Sequence, residues 1–309
     1  MKIYKNIDEI SSVRNAVVTV GTFDGVHKGH QVIISRINQI ANKIGGESVI
    51  VTFSPHPQIV LHPDKNIFVL NTQEEKIKLL NLHKINHLII IPFTHEFASI
   101  SYIDFIKNIL INKLQAKKLV IGYDHHFGKN REGMLLHLLN YGKKYNFEVE
   151  EIKEQKFDNI AVSSTKIRKA LFEGDIKSAN NLLGYNYNIN GKVVNGNKIG
   201  RDLGFPTANL EFDDKHKLLP AFGVYAVDVE FDNKKYGGML STGVRPTING
   251  NNRVTEVNIF NFDKNIYSQN INVSFIERLR NEVKFDSLDD LKKQLINDKE
   301  NALKILNAQ

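Results

Sequence analysis

The stretch Val18–Ile37, VTVGTFDGVHKGHQVIISRI, decides the fold. It begins as an apolar strand, and Gly21 ends that strand. Gly25 and Gly29 let the backbone turn tightly and approach a ligand. A helical apolar pattern begins at once, so His27 and His30 flank a helix N-terminus. Free N–H groups and the positive end of the helix dipole point there, which suits an anion. Two imidazoles add hydrogen-bond donors. Together these parts suit phosphoryl chemistry, where catalysis is mostly positioning and charge stabilisation. Each part alone has a plainer reading. Histidines three apart often sit on a helix surface, and glycines often only turn the chain. Half a metal site would need further ligands that the sequence does not convincingly supply. Placed together after a buried-type strand, they point to a ligand.

Outward from that stretch, short apolar runs alternate with helical patterns up to about residue 185. The strands expected are Ala16–Val20, Ser48–Phe53, His87–Ile91, Lys118–Gly122 and Glu148–Ile152. The helices expected are Gly29–Lys43, Gln73–Leu82, Tyr102–Leu114, Glu132–Tyr145 and Thr165–Glu173. Thr72 with Glu75, and Ser101 with Asp104, stand at N-cap and N3 spacing. Strands alternating with helices imply βαβ units and a doubly wound, Rossmann-like parallel sheet. Ligands of such sheets bind beyond the carboxyl ends of the strands.

After LLGYNYNINGKVVNGN the rhythm changes. Short strands are expected at Asn188–Val194, Val224–Phe231, Lys235–Ser241, Arg253–Phe260 and Gln269–Arg278, separated by turn residues. This reads as a small antiparallel β-barrel. SLDDLKKQLINDKENALKIL is then an amphipathic C-terminal helix, capped by Ser287 with Asp290 at N3. The composition shift near Gly184 divides the chain into domains 1–185 and 186–309.

A chain of 309 residues is long enough for two such domains. No apolar run approaches a membrane span, and MKIYKNIDEI lacks the apolar core of a signal peptide. The absence of cysteine excludes disulfides, thiolate zinc sites and a cysteine nucleophile, and agrees with the cytoplasm. The net charge is +7, but the lysines are scattered. Without an arginine-rich tract or an aromatic–basic ribbon, no nucleic acid is expected as a partner, and no membrane. The sequence sets no oligomeric state.

GTFDGVHKGH resembles the HxGH signature of the nucleotidyltransferase superfamily, related to class I aminoacyl-tRNA synthetases. AVSSTKIRKAL (Ala161–Leu171) resembles its second signature, ISSTxIR. Ser163, Ser164 and Thr165 offer hydroxyls and N–H groups at a helix start, and Arg168 one turn on can fork onto phosphate oxygens. The whole chain resembles the bacterial bifunctional riboflavin kinase/FAD synthetase family. TFSPHP (Thr52–Pro57) and GYDHHFGKNREG (Gly122–Gly133) resemble its flavin-side segments, with His125 where the GxDFxFG pattern has an aromatic. GKVVNGNKIGRDLGFPTANL (Gly191–Leu210) matches the riboflavin kinase signature, including PTAN at Pro206–Asn209. GVYAVDV, STGVRPT, TEVNIFNF and LRNEVKFDSLDDLKKQL follow in family order. Two departures stand out: Ser241 where many members carry Asn, and IYSQN without the usual Tyr-Gly pair.

The resemblance implies that the first domain transfers AMP from ATP to FMN, giving FAD and pyrophosphate. The FMN phosphate is already a good nucleophile, so no base is needed. His27 and His30 would neutralise charge on the transferring phosphate. Arg168, with Ser163, Ser164 and Thr165, would hold the pyrophosphate. Gly21, Phe23, Asp24 and Gly29 would complete the ATP side; Asp24 could bind Mg²⁺-ATP, orient a histidine, or simply cap a turn. Pro55, His56, Pro57, Asp124 and Phe127 fall on the flavin side, though Phe127 reads equally as core. The second domain would phosphorylate riboflavin to FMN. An alcohol is a poorer nucleophile than a phosphate, so a carboxylate helps, and the family pattern assigns it to Glu256. Thr207 and Asn209, spaced i, i+2, suit Mg²⁺. Gly191, Gly196 and Gly200, with Lys198, would cover phosphates, a plain β-turn being the competing reading. Arg245 would touch flavin. ATP is then co-substrate, and riboflavin, FMN and FAD are the ligands. Three alternatives stay open: another acceptor such as nicotinamide mononucleotide or phosphopantetheine, a basic RNA-binding module, or one activity lost.

Overall fold

The computed structural model describes the chain outside residues 124–125, 158–159, 197–198, 248–249 and 309, and outside the side chains of 131, 157, 160, 199, 202, 245–247 and 250–252. It divides into two compact units, Met1–Ser164 and Thr165–Gln309.

In the first unit, β1 (Lys2–Tyr4), β2 (Val17–Val20), β3 (Ser48–Ser54), β4 (His87–Pro92), β5 (Lys118–Gly122) and β6 (Glu148–Ile152) form one sheet. Their order is β1-β4-β3-β2-β5-β6, and every pairing is parallel. From β2 the chain builds outward through β3 and β4, then crosses to β5 and β6 on the other side. The order reverses at β2, so a crevice opens at its carboxyl end, where Gly21 stands. The central strands β2 to β5 are largely buried, which is why they read as apolar runs, while the edge strands β1 and β6 are not. Val18, Val49, Val51, Ile89, Ile91, Leu119 and Ile121 face one core. Val17, Ile50, Leu88, Ile90 and Val120 face the other, as the period of two requires.

The helices are α1 (Lys28–Lys43), α2 (Pro57–Leu61), α3 (Gln73–Leu82), α4 (His95–Ala98), α5 (Tyr102–Asp104) and α6 (Leu135–Tyr145). A short hairpin pairs β7 (Lys156–Phe157) with β8 (Ile160–Ala161). α1 buries Ile34, Ile37, Ile40 and Ala41 on one stripe. Thr72 and Glu75 form the expected capping box on α3. Ser101 and Asp104 cap α5 as their spacing predicts. The single helix expected over Tyr102–Leu114 instead widens after Asp104 into a π-helical stretch, Phe105–Lys113. The Leu114 N–H donates to the Ile109 carbonyl at 3.0 Å, five residues back.

The second unit holds α7 (Ser164–Glu173, from its second residue on), α8 (Ile176–Leu183), α9 (Ile199–Asp202) and α10 (Leu288–Asn307). Its strands β9 (Asn188–Val194), β10 (Ala208–Glu211), β11 (Gly223–Phe231), β12 (Lys234–Thr247), β13 (Gly250–Ile259) and β14 (Asn270–Arg280) close a barrel in the order β10-β13-β12-β11-β14-β9. Tyr187, Ile189, Tyr225, Val227, Leu240, Val257, Val273 and Phe275 are fully buried. α10 packs through Ala302 on Ala226, Met239 and Phe260. The Arg280 guanidinium grips the buried Asp298 carboxylate with two nitrogens, at 2.8–3.0 Å.

The compact units part between Ser164 and Thr165. α7 and α8 are tied to the barrel. The Ala221 N–H donates to the Leu171 carbonyl at 2.9 Å, and Arg278 Nη1 donates to the Glu173 carbonyl at 3.1 Å. Asn180 accepts from the Tyr187 N–H at 2.8 Å and donates to the Phe275 carbonyl at 2.9 Å.

Candidate active sites

The first site stands at the carboxyl end of β2. The Gly21 N–H continues the pairing to the Val51 carbonyl at 3.0 Å, and the chain then turns sharply. A Cβ at Gly21 would lie 3.2 Å from the Phe23 ring, and one at Gly29 would lie 3.2 Å from the His27 ring. Glycine at both positions leaves room for those rings. His27 is the N-cap of α1, its Nδ1 accepting from the His30 N–H at 3.3 Å. That acceptor role puts the proton of the neutral His27 ring on Nε2. The His27 and His30 rings stack, with centroids 3.7 Å apart. Phe23 flanks His30 on another side at 4.9 Å. His30 Nδ1 is buried and has no hydrogen-bond partner among the described residues.

Burial, then the neighbouring His27, then Lys76 hold His30 well below the usual histidine value. The same causes favour the uncharged form of the ring.

Asp24 is buried, and its Oδ1 accepts from the Leu70 N–H at 2.8 Å and the Asn71 N–H at 3.4 Å. It ties the histidine loop to the segment before α3. The second signature arrives at the same loop: Ser164 Oγ donates to the Asp24 carbonyl at 2.8 Å across 140 residues of sequence. Ser163 immediately precedes this contact. Thr165 and Arg168 follow on α7 in the second unit, Thr165 exposed and Arg168 half-buried.

On the expected flavin side, Pro55, His56 and Pro57 follow the end of β3, next to β2 in the sheet. His56 caps α2, its Nδ1 accepting from the Gln58 N–H at 3.2 Å. Phe127 is core: it is buried and packs on Phe105 with ring centroids 5.6 Å apart. Asp124 and His125 lie outside the described residues.

Sequence reasoning missed Lys76. It is only 5% exposed, and its Nζ donates to the Thr22 carbonyl at 2.8 Å. Thr52 Oγ1 donates to the same carbonyl at 3.1 Å. A lysine on an amphipathic helix ordinarily points to water, so the sequence carried no signal for it.

The second site is written in strand register. Asn209 of β10 stands opposite Glu256 of β13, and Ser241 of β12 stands opposite Glu256 on its other side. Thr207 Oγ1 donates to Glu256 Oε2 at 3.4 Å. PTAN and the Glu256 carboxylate thus meet. Asn258, one alternation beyond Glu256, donates from Nδ2 to the Pro206 carbonyl at 2.6 Å and pins the PTAN segment; the sequence reading missed it. Gly196 crosses directly over Asn209, since a Cβ there would lie 2.0 Å from Asn209 Nδ2. Gly200 lies on α9 beside Phe205 and Thr207.

Gly191 departs from expectation. It lies inside β9, paired with Ile271. A Cβ there would meet Leu210 Cβ and the Phe212 ring, each at 3.1 Å. It is a glycine of close strand packing, not of a phosphate-covering loop. β12 runs past the expected end at Ser241, through STGVRPT to Thr247. Arg245 pairs there with Asn252, and its side chain lies outside those described. Lys198 also lies outside the described residues.

A family model described as FAD synthetase matches residues 9–166, and one described as riboflavin kinase matches residues 183–306. Relatives named bifunctional riboflavin kinase/FMN adenylyltransferase match over nearly the whole chain. The one from Buchnera aphidicola subsp. Schizaphis graminum is 40% identical, covering 99% of this chain and 99% of its own. That of Haemophilus influenzae is 36% identical over 100% of both chains, and that of Escherichia coli K12 is 33% identical over 96% of both. The crystal structure of a protein called a macrolide-efflux protein, from Streptococcus pneumoniae, has the same fold, with a TM-score of 0.89, 36% identity and 97% coverage of each chain.

Proposed function

The chain belongs to the bifunctional riboflavin kinase/FMN adenylyltransferase family, with its FAD synthetase part first and its riboflavin kinase part second, and from that premise we propose how its own residues do the work. The enzyme uses ATP to phosphorylate riboflavin to FMN and to adenylylate FMN to FAD.

In the first reaction site, an FMN phosphate oxygen attacks the α-phosphorus of ATP, and the bond to the β-phosphate breaks as pyrophosphate leaves. His27 and His30 donate hydrogen bonds to the transferring phosphate at the mouth of α1. Gly21, Phe23 and Gly29 shape the approach of ATP, and Asp24 fixes the loop. Ser163, Ser164, Thr165 and Arg168 hold the pyrophosphate. Pro55, His56 and Pro57 border the flavin. The observation that carries this reading is the Ser164–Asp24 hydrogen bond, which joins the two signatures at the switch point of the sheet.

In the barrel, a riboflavin hydroxyl attacks the γ-phosphorus of ATP, Glu256 orients that hydroxyl and takes its proton, and the bond from the γ-phosphorus to the bridging oxygen breaks as ADP leaves. The hydroxyl of Thr207, the amide oxygen of Asn209 and the nearby carboxylate form an oxygen donor set that fits Mg²⁺. When bound, that ion would offset charge on the ATP phosphates. Gly196 and Gly200 let the backbone lie close over this pair. Arg245 stands at the end of β12 as a flavin contact.

The partners on this reading are riboflavin, FMN, FAD and ATP, without nucleic acid or membrane, in the cytoplasm. No helix among the described residues is long and apolar enough to cross a membrane. Chromatography of products from riboflavin, ATP and Mg²⁺ tests the reading. FMN should form first and FAD after it; FMN alone would leave the first site without the proposed role.

A further inference from the structure

The loop Thr22–Val26 holds three residues at positive φ: Phe23 at 48°, Gly25 at 85° and Val26 at 38°. Only glycine takes that region freely, and a β-branched valine is poorly suited to it. Such backbone persists where the surroundings over-determine it, and it gathers at functional sites. Here the restraints come from several sides. Asp24 is held by two backbone N–H groups. Gln31 Nε2 donates to the Val26 carbonyl at 2.9 Å. Thr52 and Lys76 both donate to the Thr22 carbonyl.

Lys76 is the unexpected member of that set. Burying an ammonium costs free energy, and a methionine on α3 would avoid the cost. The helix nevertheless places it firmly, because the Thr72–Glu75 capping box fixes the first turn and the Lys76 N–H donates to the Thr72 carbonyl at 3.0 Å.

We propose that Lys76 is a positioning residue for FAD synthesis, holding the Thr22–Asp24 turn in the one conformation that presents His27 and His30 to the transferring phosphate. The proposal rests on the assignment of those two histidines as the phosphate site. It also accounts for the electrostatics. Burial lowers the ammonium from the usual lysine range, and Asp24 opposes part of that shift. The ammonium in turn is one of the causes that keep His30 uncharged, after burial and His27. The titratable groups facing His30 are therefore His27 at its own helix cap, Lys76 on α3 and, beside Lys76, Asp24 in the loop. A neutral His30 keeps one ring nitrogen as a donor and the other as an acceptor.

The test is Lys76→Met in the full chain. FAD formation from FMN and ATP should fall by about 10²-fold, the scale of a misplaced catalytic group, mainly in kcat. FMN formation from riboflavin should hold. The His30 ring proton, followed by NMR, should titrate at higher pH than in the unsubstituted enzyme. Thr52→Val removes the other hydrogen bond to the Thr22 carbonyl and should slow FAD formation less, without moving the His30 titration. Lys76→Arg keeps the cation and should restore part of the rate and the low titration. A Lys76→Met enzyme with normal FAD formation, or with an unmoved His30, overturns the proposal. So does a folded but inactive Lys76→Arg, which also decides the matter should Lys76→Met fail to fold. His30→Ala run alongside separates the two failures. If it still makes FAD, the site assignment is wrong; if it does not and Lys76→Met does, only the role of Lys76 falls.

Discussion

In the α/β unit the proposed reactive groups stand beside a loop where Phe23 and Val26 take positive φ; in the barrel they stand on extended strands, Asn209 opposite Glu256. On the proposed reading both sites handle ATP, but they are pre-organised by different means. The loop is held from outside, by the Leu70 and Asn71 N–H groups on Asp24, by Lys76 and by Ser164. The barrel site is held by its own ladder, because register fixes which side chains meet. A loop site should therefore be sensitive to residues that touch its backbone, and a ladder site to residues that disturb a strand face.

The largest effect should come from the barrel. Glu256→Gln should slow riboflavin phosphorylation by roughly 10²- to 10⁴-fold, the range for a positioned acid or base. Riboflavin binding, followed by flavin fluorescence, should change little, and FAD formation from supplied FMN should persist. A full kinase rate would reduce Glu256 to a strand acid. Next, His30→Ala should lower FAD formation by about 10²-fold, the scale of losing one pre-organised donor, while FMN formation continues. Steady-state assays on each half-reaction decide this, and normal FAD synthesis would break the loop side of the comparison.

A smaller effect is expected from backbone crowding. Gly196→Ala puts a Cβ 2.0 Å from Asn209 Nδ2, so Asn209 must move. The kinase rate should fall by about 10-fold through misplacement, visible in kcat with FAD formation unchanged. An unaffected kinase would mean that Asn209 is not held in place from above.

The smallest difference is in acid response. Burial holds His30, His83 and His87 of the α/β unit below the usual histidine value. Their folded pKa lies below the unfolded one, so the stability they confer is present above about pH 6.5. It is lost as pH falls through the folded values, at up to about 1.4 kcal/mol per pH unit for each proton taken up. In the barrel, burial raises Asp228, which works in the opposite direction and at lower pH. Calorimetry from pH 7.5 to 5 should therefore show the α/β transition moving down while the barrel transition stays. Equal movement of both would contradict the assignment.

Much of this architecture was legible because buried parallel strands are apolar runs. Lys118–Gly122, Glu148–Ile152, Gln73–Leu82 and Asn188–Val194 fall where periodicity puts them. β1 and α2 were too short to show a period. α8 was missed although Asp175 caps its start and Gly184, at φ 82°, ends it. β10, four residues long, was also too short to show a period. Helices α7 and α8 carry apolar stripes that do not say which core receives them, and contacts such as Asn180 with Phe275 decide it. At the sites, sequence named the histidines, Ser164, Thr207, Asn209 and Glu256. It misread Gly191, whose neighbours across the barrel are invisible in one dimension. It missed Lys76 and Asn258, whose backbone partners lie 54 and 52 residues away.

The central claim is that one chain carries two sites that work independently. Mixing His30→Ala with Glu256→Gln tests it most directly, with riboflavin, ATP and Mg²⁺ supplied and flavins separated by chromatography. Over a time in which the unsubstituted enzyme converts riboflavin fully, His30→Ala alone should stop at FMN and Glu256→Gln alone should leave riboflavin. The mixture should make FAD, because FMN released by one chain is adenylylated by the other. A mixture that makes no FAD, from two folded variants, would contradict the account.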